Sequence, residues 1–553
     1  MVASRVPRYG SPMQTGTGPR GVRPWRAALA GALAAGVAIA ESELLAGVTG
    51  SVSLVDAVGA LVIAHQPRGA EALMIVLFGD RDKAALGVIV ILVGMAVGAV
   101  AGVIAARDVR AGAAVFAAVG VVAGYAAAQV PLVSLGTAAM GAVLAVLAGL
   151  ATLRWLLGLA GRTSPGSGGG AENAAGGPSR AGGPTRAGEP SDNAGATVWD
   201  RRRFILASAG TLGGVIVATG MGRAASDATA PQGPGVARPL SRPVVPVADP
   251  GAGQVVTVPG ITPLVTPAGQ LYRTDIALSI PRVDADLWRL EVNGMVDHPL
   301  TLTYDDLLAM PLFEQYATIA CVSNEVGGHL VGTPLWTGVR LRDILAEAGV
   351  QPGATQVMGR SWSDFSAGFP TAWAMAPGRE PMIALGVDRD VLPAVHGFPA
   401  RLVVPGLYGY ASATKWLTQI ELTTLEAQDG FWVPLGWAKL GAVLTQSRID
   451  VPSYGARLAA GAITVAGVAW APDRGVRAVE VRFDGGPWLP AQVSRPLSAG
   501  AWVQWTATWT ATPGEHGIEV RATDGTGEVQ TDAITRPTPD GARGHHRVVV
   551  NVG

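Results

Sequence analysis

The sequence predicts a multidomain protein: an N-terminal α-helical transmembrane region, then an α+β domain, then a C-terminal Ig-like β-sandwich. Three observations lead there. The 553 residues exceed what one ordinary core accommodates. Ala, Gly, Val and Leu build the first part of the chain, whereas most Trp, Asp and Thr lie in the second half. After about residue 443 the pattern becomes alternating strands separated by tight turns.

In the first region, four stretches near 27–49, 84–106, 111–130 and 132–157 are apolar enough to cross a hydrocarbon core, which takes about 20 helical residues. A fifth runs from Phe204 to about Met221. Val52 to Phe78 is also apolar, but His65, Gln66, Pro67 and Arg68 divide it into pieces of half a span each, so it reads as interfacial or re-entrant. Positive residues flanking a span are retained in the cytoplasm. Arg20, Arg23 and Arg26 therefore place the N-terminus inside, Arg107 and Arg110 follow the second span inside, and Arg154 and Arg162 follow the fourth. Arg201, Arg202 and Arg203 precede the fifth span and are inside as well. The expectation is a multi-pass protein of the cell membrane with a cytoplasmic N-terminus and an extracytoplasmic catalytic domain.

The run Asp200 to Ile205 resembles a twin-arginine export signal placed internally; an arginine stop on a last helix is an equal reading of the local sequence. Transmembrane haem b needs facing axial side chains, usually histidine. His65 is the only histidine before residue 298 and no C-x-x-C-H occurs, so no haem is expected in this chain. The spans then read as an anchor or as a docking surface for a membrane redox partner, with Glu41 and Glu43 at the outer interface.

These readings set the expected boundaries: a four-span membrane region over 1–160 with the interfacial segment near 52–78, a linker rich in Gly, Ser, Ala and Pro over 161–200, and the fifth helix over 201–222. A Pro/Ala-rich tether over 223–256 leads to the α+β domain over 257–442 and the Ig-like domain over 443–553. Within the α+β domain, Thr303 with Asp306 forms a capping-box pattern ahead of a short helix. Leu341 to Ala348 reads as a second helix closed by Gly349. Gln315 to Cys321 alternates like a strand and ends at Cys321, a strand-to-loop transition where side chains can face a cleft. Ala478 to Phe483 before Asp484-Gly-Gly486, Trp502 to Trp509, and Gly517 to Thr523 before Asp524-Gly525 have the spacing of an antiparallel sandwich.

Lys and Arg balance Asp and Glu at 41 each, which argues against a nucleic-acid partner. The single cysteine cannot form an internal disulfide, so in an oxidising compartment it is either buried or occupied.

The strongest chemical signal is the run Thr318 to Gly328, TIACVSNEVGG, followed by Trp336-Thr-Gly-Val-Arg-Leu341. A second run follows, His396-Gly-Phe-Pro-Ala-Arg401 through Gly406, continuing to Ala413-Thr-Lys415-Trp416. Together, in this order, they resemble the molybdenum-binding segments of the sulfite oxidase family, over roughly 255–553 when the terminal sandwich is included as a likeness to that family's dimerisation domain. The resemblance implies a sulfite-oxidase-type molybdopterin domain, an oxidoreductase, a molybdenum–molybdopterin cofactor and a homodimer. It implies that Cys321 is the metal ligand, with Cys321, Asn324 and Glu325 at the catalytic centre. His396 and Arg401 would contact the cofactor, and Ala413, Thr414 and Lys415 would cradle its phosphate. Tyr272, Arg273, Arg360 and Ser361 fall where relatives have further cofactor contacts. A thiolate is a soft donor suited to such a metal, and guanidinium, ammonium and imidazole groups suit a phosphorylated, hydrogen-bonding pterin.

Two positions depart from sulfite oxidases proper. The residue after the asparagine is Glu325 where they have arginine, and Leu385 stands where they have tyrosine. A carboxylate repels sulfite. The expected function is therefore a membrane-anchored, molybdopterin-dependent oxidoreductase performing two-electron oxygen-atom transfer on a small extracytoplasmic substrate, not specific for sulfite, with an external electron carrier or membrane redox partner. One alternative is a methionine-sulfoxide-reductase-like enzyme using a membrane partner. Another is a cofactor-free binding or scaffold protein.

Overall fold

The computed structural model describes residues 22–49, 52–67, 70–78, 82–129, 135–161, 193–228, 238–251, 254–278, 280–281, 283–363, 365–376 and 378–553. Arg20, Arg162, linker positions 162–192 and tether positions 229–237 lie outside the described residues. The chain divides into two compact units, residues 1–65 with 74–229, and residues 66–73 with 230–553.

The N-terminal helices are α1 (Pro24–Thr49), α2 (Leu54–Ala64), α3 (Ala70–Phe78), α4 (Asp82–Ala105), α5 (Val109–Ala128), α6 (Leu135–Ala160) and α7 (Asn193–Ala228). Five of them, α1 and α4 to α7, are long and apolar enough to cross a membrane. Helix α7 starts before the expected 201 and runs past 222, because no proline follows Pro190 until the chain has left the helix. The 52–78 stretch breaks at His65, whose N–H caps α2, so α2 and α3 have 11 and 9 residues and neither reaches the length of a span. Helix α1 packs through small residues: a Cβ at Gly31 would collide with the Gly98 carbonyl of α4, and only glycine permits that approach. Near its other end, Glu43 meets Arg223 of α7 at 3.4 Å.

In the second unit, one sheet orders its strands 300–303, 289–294, 417–423, 356–361 and 366–370, with 289–294 parallel to 417–423. A second sheet runs 390–391, 382–387, 335–340 and 312–316, and 401–403 also pairs with 382–387. Strand 382–387 is buried throughout, as its unbroken apolar run Met-Ile-Ala-Leu-Gly-Val requires. Helix α8 (Tyr304–Ala309) begins with the capping box between Thr303 and Asp306. Helix α9 (Leu341–Ala348) buries Leu341, Ile344, Leu345 and Ala348 at helical spacing and ends at Gly349, with φ +68°. These elements share a core around Trp288, Tyr304, Ile344, Val357, Leu402 and Trp416.

The C-terminal residues form two further sheets, ordered 446–451, 461–470, 503–511, 492–493, and 457–458, 546–552, 514–524, 476–483, 489–490. Val465, Val481, Trp505, Ile518 and Val550 from both sheets lie in one core. Neighbours are antiparallel except 457–458, which runs parallel to 546–552. The expected turn after Phe483 has Asp484 and Gly485 at φ +53° and +69°, the backbone a tight hairpin demands.

Candidate active site

Cys321 lies at the end of the two-residue strand 319–320, which pairs with 331–332 and so closes a loop from Cys321 to Leu330. Cys321 N donates to Leu330 O at 2.9 Å, and the residue is 9% exposed. Asn324 Oδ1 accepts from Leu330 N at 2.7 Å, so this side chain closes the loop from within. Glu325 is exposed on the same loop, and its carboxylate makes no ion pair or hydrogen bond among the described residues.

Tyr272 lies within electrostatic reach of both Cys321 and Arg401, and Arg401 adjoins His396. Arg401 is 3% exposed; Nη1 donates to His396 O at 3.2 Å and the guanidinium lies 5.0 Å from the Trp336 ring centre. Its Nε has no partner, and no carboxylate among the described residues reaches it. Burial pulls its pKa down to about 10. His396 is also 3% exposed, with Nε2 on Ala268 O at 2.8 Å and Nδ1 buried without a partner. Burial, aided by the charges of Arg401 and Lys415, pushes its pKa down to about 4. The ring is therefore neutral near pH 7, and donation from Nε2 makes Nδ1 an acceptor. The Tyr272 phenol is pushed up by burial and by the neighbouring Cys321, with Arg401 opposing.

Lys415 Nζ donates to Asp275 at 2.9 Å and to Val395 O at 3.1 Å, and Arg273 Nε meets the same Asp275 oxygen at 3.1 Å. Gly397, at φ +113°, lets the His396 turn lie against the Lys415 backbone, where a Cβ would be 3.0 Å from Lys415 Cα. Trp416 next to it is held at φ +49°, a costly conformation for a bulky residue. Ala413 closes the short helix 409–412, its N–H on Gly409 O. Thr414 is fully buried, and its hydroxyl donates to Gly359 O at 3.4 Å. Arg360 is not brought to the pocket. Gly359 faces Thr414, so alternation along the strand sends Arg360 the other way, to Glu421 at 2.8 Å and Gln428. Ser361 is buried, its hydroxyl 3.1 Å from that of Ser363. Leu385 belongs to the apolar core.

A family model described as an oxidoreductase molybdopterin binding domain matches residues 277–432. Over this segment the chain is similar to molybdopterin oxidoreductases of the sulfite oxidase type. Human mitochondrial sulfite oxidase is 30% identical over 311 residues, covering 48% of this chain and 57% of that one. The NADH nitrate reductase of Volvox carteri is 34% identical over 175 residues, 27% of this chain and 20% of that one. The chain thus spans little more than half the length of the human sulfite oxidase it matches. Among solved structures, the sulfane dehydrogenase SoxCD from Paracoccus pantotrophus aligns with a TM-score of 0.46 at 23% identity, covering 54% of this chain and 88% of that one.

The donors present fit a molybdopterin. Arg401 Nε and His396 Nδ1 are a buried donor and a buried acceptor in want of a polar ligand, and buried polar atoms are rarely left so. Two residues at the site escaped the sequence reading. Asp275 was detectable only as a carboxylate two positions after Arg273, within the same segment. Arg448 reaches the loop carbonyl of Gly328 at 2.7 Å from a strand more than a hundred residues away, and no local pattern marks it.

Proposed function

We propose that the protein is a membrane-anchored, molybdopterin-dependent oxidoreductase catalysing two-electron oxygen-atom transfer on a small extracytoplasmic substrate. The observation that carries this reading is the pair of buried, unpartnered nitrogens on Arg401 and His396, with Tyr272 within electrostatic reach of both Arg401 and Cys321. Cys321 would be the thiolate ligand, with Tyr272, His396, Arg401, Arg273 and Lys415 holding the pterin and its phosphate. When bound, molybdenum supplies the two-electron oxo-transfer chemistry.

The chain's own residues do the rest. His396 stays neutral across the physiological range and offers Nδ1 as an acceptor to a pterin N–H. Arg401, fixed over Trp336, would present a positive charge to the cofactor. Asp275 lies between Lys415 and Arg273, so a phosphate reaching Lys415 shares it with, or displaces, that carboxylate. Glu325 places negative charge on the exposed part of the ligand loop and disfavours an anion such as sulfite. Leu385, buried in the core, offers no phenol to the substrate.

Five long apolar helices and their arginine flanks support a multi-pass anchor with the catalytic domain outside. Electrons would leave or arrive through an external carrier or a membrane partner. The two C-terminal sheets would form the Ig-like dimerisation domain.

The test is to purify the matured full-length chain in detergent and quantify molybdenum and pterin. A full complement, with negligible sulfite turnover that rises in Glu325→Arg, is expected. Matured wild-type protein without metal would overturn the cofactor reading, and vigorous wild-type sulfite oxidation would overturn the substrate reading.

A further inference from the structure

The Cys321–Leu330 loop closes on itself at its ends, through Cys321 N on Leu330 O and Asn324 Oδ1 on Leu330 N. Its far half contains Gly327 and Gly328, the two residue positions with the greatest backbone freedom. That half is held from the C-terminal sheets. Arg448, on strand 446–451 and 3% exposed, donates from Nη1 to Gly328 O at 2.7 Å, from Nη2 to Thr262 Oγ1 at 2.8 Å and from Nε to Asp450 at 2.7 Å. Asp450 in turn accepts from Thr262 N at 3.0 Å. The ring of His546 occupies the space that a Cβ at Gly327 would need, and Gly327 has φ +79°. That ring is itself fixed, with Nδ1 accepting from Ile449 N at 3.0 Å. Just ahead of the loop, Thr318 N donates to Gly500 O at 2.8 Å.

We propose that Arg448 and His546 form a clamp that sets the orientation of the Cys321 side chain, making Arg448 a positioning residue of the active site and the C-terminal sheets part of its machinery. The inference rests on the reading of Cys321 as the metal ligand. A ligand must be held to within about half an ångström of its productive position, and two adjacent glycines cannot do that unaided. The guanidinium reaches three partners in three directions, a geometry that an ammonium cannot reproduce.

The test uses the full-length holoprotein. Arg448→Lys retains an ion pair with Asp450 and loses the simultaneous grip on Gly328 and Thr262. It is expected to keep wild-type molybdenum content, shift the thiolate-to-metal absorption band and the Mo(V) resonance, and speed amide hydrogen exchange across 321–330 about tenfold. Gly327→Ala pushes the loop off His546 and should give the same kind of shift by an independent route. Arg457→Lys makes the same change at an exposed position of the C-terminal sheets, outside the clamp, and should leave the spectra and exchange at wild-type values. Unchanged spectra and exchange in both clamp-directed variants at full metal content overturn the proposal, as does an equal shift in Arg457→Lys. Exchange needs no metal. A wild-type protein without molybdenum therefore defeats the ligand reading, while exchange in Arg448→Lys still decides the clamp.

Discussion

Arg401 and Arg448 are equally buried, at 3% exposure each, and their surroundings are opposite. Arg448 has a carboxylate, a carbonyl and a hydroxyl, each within 2.8 Å, one for each of its nitrogens. Arg401 has one carbonyl at 3.2 Å, an indole face, and an Nε with nothing to bond. A buried cation with no carboxylate in direct contact destabilises the fold unless something completes it. The difference teaches that satisfaction, more than burial or residue type, separates a ligand pocket from a structural clamp.

The comparison can be broken by neutralising each arginine in turn. Arg448→Met strands Asp450 and the Gly328 carbonyl and should cost about 3–5 kcal/mol, measured by denaturant melting of the full chain in detergent. Arg401→Met in cofactor-free protein should move stability by less than about 1 kcal/mol, or raise it, since no carboxylate is stranded. It should nevertheless abolish the stabilisation that a bound cofactor gives the wild type. Equal losses in the two variants would make Arg401 a structural residue and erase the distinction.

A smaller effect, on pH, sharpens the same contrast. Burial pushes both His396 in the pocket and His546 in the clamp down to about 4. Below the ordinary histidine value of about 6.5 the unfolded chain takes up protons that the folded chain refuses until about pH 4. Stability is therefore fully present above pH 6.5 and falls as the pH drops toward 4, by an amount on the order of 3 kcal/mol for each histidine. His396→Asn and His546→Asn should each remove part of that slope. A pH-independent melting midpoint over this window would contradict the assigned burial.

Much of the fold was legible because its signals are local. The capping box at Thr303 and Asp306, the glycine stop at Gly349 and the hairpin turn at Asp484 each require only residues a few positions apart. Cys321 at a strand end was legible for the same reason, supported by two motifs in order. What stayed hidden depends on register and loop closure. Arg360 points to Glu421 and Gln428, opposite to Gly359, a direction set by the pleat of strand 356–361 and its pairing with 417–423. Asn324 bonds to Leu330, a partner that comes within reach only when strands 319–320 and 331–332 pair. The bond from the Thr414 hydroxyl to Gly359 O likewise depends on a neighbouring strand. Arg448 and His546 lie more than a hundred residues from the loop they hold, beyond any local pattern.

The central claim is that Cys321 ligates the metal, and X-ray absorption at the molybdenum edge reads that bond directly. Wild-type protein and Cys321→Ser would be compared at matched molybdenum content. The account predicts one sulfur fewer around the metal in Cys321→Ser; identical sulfur coordination in the two proteins would contradict it.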